Sequence, residues 1–132
     1  MREFTCFLVD DDQDDREIFC AVFELVAPNS ICLTAANGQI ALETIEGGQV
    51  NPDIIFLDLN MPLMNGRQFL QEIRTKNIIQ HIPVVVLTTT TDHATQTSVL
   101  QLGAKDFVTK PDKFADWEKA ISNIVGKFIT QF

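Results

Sequence analysis

The chain has 132 residues, a formal net charge of −8 at pH 7 and 45% apolar residues. This length suits one domain with its own core, and the acidic balance lacks the basic surface that contact with a nucleic-acid backbone requires. Because no apolar run reaches about 18 residues and the amino terminus has no secretory signal, we expect a cytoplasmic protein without membrane insertion or direct binding to nucleic acid.

Short apolar runs alternate along the chain with segments that have the apolar period of a helix. The third and fourth runs are apolar almost throughout, which is typical of parallel strands that are buried on both faces. The predicted strands are Phe4–Asp10, Ser30–Ala36, Asp53–Asp58, Pro83–Thr88 and Lys105–Lys110.

Five helices are predicted between and after these strands. The first begins at a capping box of Asp14 and Glu17 and ends before Pro28. Asn37-Gly38 could form a hairpin turn, but helical period follows it, so we interpret it as a strand-to-helix turn. The alternation predicts a doubly wound, five-stranded parallel sheet with five helices in a single domain. The other helical segments are QIALETIEGG, GRQFLQEIRTK, DHATQTSVLQLG and Phe114–Phe128.

The ends of the predicted strands carry most of the polar side chains of interest. Ligands bind to such sheets outside the carboxyl ends of the strands. Asp12, Asp14 and Asp15 are expected to cap a helix or face solvent. Each of the residues at the strand ends could also be structural on its own, but their shared position at one edge of the sheet indicates a site. The residues at the strand ends are Asp10, Asp11, Asp58, Thr88 and Lys110.

This set of side chains fits one kind of chemistry. Three carboxylates around a hard cation form a Mg²⁺ site that leaves room for a phosphoryl oxygen. Asp58 could then attack phosphorus and become an aspartyl-phosphate. Charge on the transferred group would be met by Mg²⁺, by the Lys110 ammonium and by the Thr88 hydroxyl.

Four motifs together resemble those of the two-component response-regulator receiver domain. They are FLVDDD, PDIIFLDLNMPLMNG, IPVVVLTT and LGAKDFVTKP, in the family's order and at compatible spacings over essentially the whole chain. Because the chain ends with the fifth helix, it is most similar to the stand-alone, CheY-like type. The resemblance implies a flavodoxin-like fold, with residues 1–132 forming one receiver domain and no output domain.

The resemblance also implies roles for residues at the site. Asp58 would be the phosphoacceptor, Asp11 a direct ligand of Mg²⁺, and Asp10 an acid that acts largely through water. The backbone carbonyl of Asn60 would be a further ligand. Thr88 would bond to the phosphoryl group, and Lys110 would pair with it.

Two more features follow from the resemblance. A cis peptide bond before Pro111 is usual in the family. Phe107 falls at the aromatic switch position, so movement of Thr88 would let Phe107 rotate inward and reshape the surface of helix four, strand five and helix five. Helix four suits this role because its polar residues leave it few apolar anchors.

The function implied is a phosphorylation-dependent signalling switch. The phosphoryl donor would be a phosphohistidine of a sensor histidine kinase or of a histidine phosphotransfer protein. The protein would bind an unidentified downstream protein, as a monomer or weak homodimer. It would not be an enzyme, since its only turnover would be its own phosphorylation and dephosphorylation.

Three other functions predict sequence features that can be compared with this chain. A haloacid-dehalogenase-type hydrolase would carry its nucleophile in a DxD motif on the first strand, whereas Asp58-Leu59-Asn60 lies on the third. A nucleotide or flavin binder would need a glycine-rich loop where this chain has aspartates. A degenerate receiver that acts as an interaction module is left as the alternative, although the intact set of Asp58, Thr88 and Lys110 argues against it.

The cysteines and histidines give weaker signals. Cys6, Cys20 and Cys32 are odd in number and lack the spacing of a metal site, so reduced thiols packed as small apolar side chains are expected. His81 and His93 do not stand at strand ends, and surface or loop positions are expected for both.

Overall fold

Strands and helices alternate, five of each, in the residues that the computed structural model describes, 4–61, 63–76, 82–89 and 92–128. All ten predicted elements are present, and each strand boundary lies within one residue of its predicted position. The strands are β1 (Phe4–Val9), β2 (Ser30–Ala35), β3 (Ile54–Asp58), β4 (Val84–Thr88) and β5 (Asp106–Thr109). The helices are α1 (Gln13–Val26), α2 (Gly38–Glu46), α3 (Gly66–Thr75), α4 (His93–Gln101) and α5 (Phe114–Phe128).

The sheet is parallel throughout, with strand order β2-β1-β3-β4-β5. This confirms the predicted doubly wound, five-stranded fold. The strand order reverses between β1 and β3, and a crevice opens at the carboxyl ends of strands at such a point. Register pairs Val9 with Leu57, so the residues that follow them, Asp10 and Asp58, emerge side by side.

The core lies in two layers, one on each face of the sheet. Side chains alternate along a strand, so Phe7, Val9, Ile55 and Leu57 pack beneath α2, α3 and α4. The alternate residues of the same strands point to the other face and pack beneath α1 and α5. This layer contains a group of aromatic rings that includes Phe19, Phe23, Phe56 and Trp117. None of the described helices is long and apolar enough to span a membrane.

The helix starts are fixed by side-chain caps. Asp12 caps α1, because its Oδ1 accepts a hydrogen bond of 3.0 Å from the Asp15 amide. The predicted cap at Asp14 is therefore wrong: only three residues separate β1 from α1, and the helix begins earlier than its apolar stripe suggests. Asn37 caps α2 with a bond of 2.8 Å from the Ile40 amide, which confirms the strand-to-helix turn.

Gly66 stands where α3 meets the end of β3. A Cβ there would lie 2.6 Å from the Asp58 carbonyl oxygen and 2.8 Å from the Leu59 Cα. We expect Gly66→Ala to lower the free energy of unfolding by about 1–3 kcal/mol, because backbone atoms rather than a flexible side chain must move.

The matched control is Gly126→Ala in α5, where a Cβ would meet no atom of the described residues within 4 Å. We expect this variant to gain about 0.5–1 kcal/mol, because glycine is a poor helix former. Urea unfolding of both variants measures the difference. A higher free energy of unfolding for both variants would show that the backbone around Gly66 accommodates a Cβ without cost.

Candidate functional site

The carboxyl ends of β1, β3 and β4 deliver three polar side chains that are almost fully buried. Their exposed fractions are 0% for Asp10, 5% for Asp58 and 2% for Thr88. Lys110 follows β5, and its amide donates to the Thr88 carbonyl oxygen at 2.8 Å. The register of the parallel strands thus brings the predicted residues to one place, and buried charges of this kind require partners.

Asp10, Asp11 and Asp58 form the candidate metal centre. Each offers one carboxylate oxygen, and the three oxygens lie within 4.8 Å of one another. Carboxylate oxygens are the ligands that hard divalent cations such as Mg²⁺ prefer. Asn60 lines the same cleft, and its amide approaches Asp58 Oδ1 at 3.4 Å. The donor set fits a hard cation.

Lys110 is shared by three carboxylates. Its Nζ lies 2.9 Å from Asp10 Oδ2, 2.9 Å from Asp15 Oδ2 and 3.6 Å from Asp58 Oδ1. The sequence prediction missed Asp15, which was expected to cap a helix or face solvent. In the structure it stands on the first turn of α1, directed back towards the strand ends.

Asp10 is held in place by groups from three segments. Its amide donates to the Ala35 carbonyl oxygen at 3.1 Å, and its Oδ1 accepts from the Asp12 amide at 3.0 Å. Arg16 Nη1 donates to its carbonyl oxygen at 2.8 Å. These contacts fix the backbone of Asp10 and one oxygen of its side chain.

The cluster carries more negative charge than the Lys110 ammonium can balance. Burial, with help from the neighbouring Asp10 charge, raises the pKa of Asp58 from 3.8 to about 7, although Lys110 opposes the shift. Burial also raises the pKa of Asp10. For Lys110, burial alone would lower the pKa, but the hydrogen bonds to Asp10 and Asp15 outweigh it and raise the pKa. A bound divalent cation would relieve this imbalance.

Two adjoining cavities open over the cluster, with volumes of about 670 and 590 Å³. Asp11 and Asn60 line both of them. The first cavity also contacts Arg67, an exposed residue at the start of α3 that the sequence prediction did not single out. The space is large enough to admit a phosphodonor group to Asp58.

The region predicted to switch lies beside this cleft. Val99 is the single buried residue of α4, which confirms that this helix has few apolar anchors. Phe107 on β5 is half-buried and packs against the core layer beneath α2, α3 and α4.

Three further sequence expectations concern Pro111 and the two histidines. No peptide bond among the described residues is cis, so the expected cis bond before Pro111 is wrong. The trans form is the intrinsically favoured one, by about 0.5–1 kcal/mol. His93 is exposed as the first residue of α4, as expected of a surface position. His81 lies outside the described residues.

A family model of the response regulator receiver domain matches residues 6–122. The chain belongs to this family. Receiver domains take phosphoryl groups from histidine kinases and bind downstream targets, so the chain has a phosphorylation-dependent signalling role.

Curated relatives include longer proteins. The protein-glutamate methylesterase/protein-glutamine glutaminase of Treponema denticola is 38% identical over 113 residues, which are 84% of this chain and 29% of that protein. The probable C4-dicarboxylate response regulator DctR of Bacillus subtilis is 32% identical over 120 residues, 91% of this chain and 51% of DctR. The chain therefore spans about a third to a half of the length of these relatives. The activities that their names state belong to those longer proteins.

Solved structures share the whole fold. The phosphorylated cyanobacterial phytochrome response regulator RcpA gives a TM-score of 0.89 at 24% identity, with 99% of this chain and 98% of RcpA covered. The Mn²⁺-bound form of response regulator Rcp1 gives 0.85 at 25% identity, covering 98% and 97%. Chemotaxis protein CheY4 of Vibrio cholerae gives 0.82 at 23% identity, covering 97% and 100%. These similarities confirm the CheY-like fold.

Proposed function

We propose that Asp58 accepts a phosphoryl group from a phosphohistidine of a sensor histidine kinase or histidine phosphotransfer protein. Mg²⁺ would be held by Asp10, Asp11, Asp58 and the Asn60 carbonyl. The observation that carries the proposal is the group of three carboxylate oxygens within 4.8 Å, beside the Lys110 ammonium and the buried Thr88. The Mn²⁺-bound form of Rcp1, which shares the fold, supports binding of a divalent cation.

The chain's own residues have separate tasks in this transfer. An Asp58 carboxylate oxygen forms the bond to phosphorus while the bond from phosphorus to the donor imidazole nitrogen breaks. Lys110, 3.6 Å from Asp58 Oδ1, and the Thr88 hydroxyl meet the charge on the phosphoryl oxygens. Bound Mg²⁺ would screen the carboxylates and bind a phosphoryl oxygen.

Output would follow from a shift between two conformations. Movement of Thr88 towards the phosphoryl group would draw the start of α4 with it, since Thr88 ends β4 and α4 begins only five residues later, at His93. Phe107 is only half-buried, and turning inward would bury the rest of its ring. The surface formed by α4, β5 and α5 would then change its affinity for a downstream protein.

Intact-mass measurement after incubation with acetyl phosphate tests the phosphoacceptor. We expect a gain of one phosphoryl group that requires Mg²⁺, is abolished by chelator and is absent in Asp58→Asn. Asp112→Asn, which removes an exposed acid after β5, is the control and should keep the adduct.

The other outcomes have distinct meanings. An adduct that persists in Asp58→Asn would place the acceptor at another residue. No adduct, together with no thermal stabilisation by beryllofluoride and Mg²⁺, would favour the interaction-module alternative, because beryllofluoride detects a competent site even when the adduct hydrolyses quickly.

Asp15→Asn should speed phosphorylation by acetyl phosphate about 3- to 10-fold, an effect of roughly 1 kcal/mol on the barrier. The Asp15 carboxylate lies 2.9 Å from Lys110 Nζ, closer than Asp58 does, and so competes with the incoming group for the ammonium. The rate of adduct formation by mass measures the effect.

Asp14→Asn is the matched control, because Asp14 is exposed on the same turn, lines the same cleft and is not among the partners of Lys110. Both variants remove one negative charge near the donor's path. Equal acceleration in the two variants would mean that the rate is limited by repulsion between the acidic cleft and the anionic donor, and not by the contact of Asp15 with Lys110.

A further inference from the structure

The fold brings together two cysteines that are well separated in sequence. Cys20 on α1 and Cys32 on β2 place their Sγ atoms 2.7 Å apart. Cys32 faces α1 because side chains alternate along β2, and it packs with the core layer beneath α1 and α5 whereas Ala35 packs with the opposite layer. The pair lies outside the acidic site, and the proposed phosphoryl transfer does not use it.

The connection between α1 and β2 fixes this approach. The Ala27 amide donates to the Phe23 carbonyl oxygen at 2.8 Å, and the Ser30 amide donates to the Ala27 carbonyl oxygen at 3.0 Å. Ser30 Oγ donates to the same oxygen at 2.6 Å. Since β2 also pairs with β1 over its whole length, the backbone fixes the positions of Cys20 and Cys32 relative to each other.

The third cysteine does not turn the pair into a metal site. Cys6 is buried and stands opposite Cys32 in the register of β1 and β2. Within the described part of the chain, the only set of three potential ligand atoms within 4.8 Å is that of Asp10, Asp11 and Asp58. The chemistry open to Cys20 and Cys32 is therefore that of a dithiol.

We propose that Cys20 and Cys32 are a reversible disulfide site that is oxidised by small disulfides of the glutathione type. A disulfide bond is about 2.05 Å long, so the sulfurs need to approach by only about 0.7 Å. Both side chains are half-buried and thus partly open to solvent, whereas Cys6 is buried.

The reaction balances as a thiol–disulfide exchange. The thiolate of one cysteine attacks a sulfur of the small disulfide and expels the other half as a thiolate. The second cysteine, as its thiolate, attacks the mixed disulfide, forms the Sγ–Sγ bond and releases the second small thiolate. Two protein thiols are oxidised, one small disulfide is reduced to two thiols, and the two protons pass to the released thiolates.

The protonation of the pair determines how the reaction depends on pH. The hydrogen bond to Cys32, together with burial, raises the pKa of Cys20. For Cys32, the hydrogen bond from Cys20 lowers the pKa, but the Cys6 contact and burial outweigh it, so that the pKa is raised. The reduced pair is not stabilised as a thiolate, and exchange should therefore speed up as the pH rises.

Peptide mapping tests the proposal directly. The folded protein is incubated with oxidised glutathione at mildly alkaline pH, remaining thiols are alkylated, and trypsin is added. No Lys or Arg lies between Arg16 and Arg67, so Cys20 and Cys32 share one tryptic peptide and Cys6 lies in another. We expect the shared peptide to lose the mass of two hydrogens and to escape alkylation, with dithiothreitol reversing both changes.

A second cleavage, after glutamate, tests whether Cys20 and Cys32 are joined. Glu24 lies between the two cysteines, so cleavage after Glu24 should give two fragments that separate only when the disulfide is reduced. Cys20→Ser and Cys32→Ser should each abolish the intramolecular bond, while Cys6→Ala should keep it. The oxidised wild type should also unfold at a higher temperature than the reduced form, a shift that Cys20→Ser should lack.

Two results would overturn the proposal. One is a cross-link that joins the Cys6 peptide to the shared peptide and that Cys6→Ala removes. The other is full alkylation of Cys20 and Cys32 in the folded protein under conditions that oxidise the urea-unfolded chain. Neither readout depends on phosphorylation of Asp58.

Discussion

Lys110→Met is expected to lower the free energy of unfolding of the metal-free protein by about 3–5 kcal/mol, the usual cost of removing one partner from a buried ion pair. The Lys110 side chain is 11% exposed, and its Nζ lies within 3.6 Å of carboxylate oxygens of Asp10, Asp15 and Asp58. Methionine would fill similar space but leave the buried Asp10 carboxylate beside Asp58 without a counter-charge.

Urea unfolding at pH 7.5 with chelator measures this loss. Lys119→Met is the control, because Lys119 is exposed on α5 and lysine and methionine have similar helix propensities. A change within about 0.5 kcal/mol is expected there. If the two variants lost equal stability, the ammonium of Lys110 would have no special role in holding the acidic cluster.

Asp58→Asn should have the opposite effect and stabilise the metal-free protein at pH 8. The pKa of Asp58 is raised from 3.8 to about 7, chiefly by burial and then by the Asp10 charge, so its ionised form is unfavourable in the folded state. Asparagine has the same shape without the charge. We expect a gain of about 1–4 kcal/mol.

The gain should depend on pH in a defined direction. Between pH 3.8 and about 7 the folded wild type holds a proton on Asp58 that the unfolded chain has lost. The wild type therefore becomes more stable as the pH falls through this window, and the variant lacks this contribution. Unfolding at pH 8 and pH 4.5 with chelator measures the trend, with Asp112→Asn as the control. A stability difference that stayed constant with pH would contradict a raised pKa at Asp58.

The fold could be predicted because its physical signals are strong. Strands such as β3 and β4 are buried at every position and so have continuous apolar runs. In a parallel sheet the residues after these runs share one edge, whatever the details of the helices. The convergence of Asp10, Asp58, Thr88 and Lys110 followed from that arrangement alone.

Asp15 could not be predicted in the same way. Its direction depends on where α1 begins, and each residue turns a helix by about 100°. A cap at Asp14 rather than Asp12 would therefore point Asp15 elsewhere. The contact of Cys20 with Cys32 is a similar case, since it depends on how α1 is rotated over β2, which apolar spacing defines only coarsely.

The contacts of α4 have a mechanical consequence. Its carboxyl-terminal end is anchored by the buried Val99 and by Arg74, whose Nη1 donates to the Gln101 carbonyl oxygen at 3.1 Å. At its other end Thr95 lies on the cavity that Thr88 also lines. The helix is thus fixed to the core near its carboxyl-terminal end, while its first turn borders the cleft. We expect phosphorylation to tilt α4 about Val99 as a rigid unit, so that its exposed face moves without unwinding.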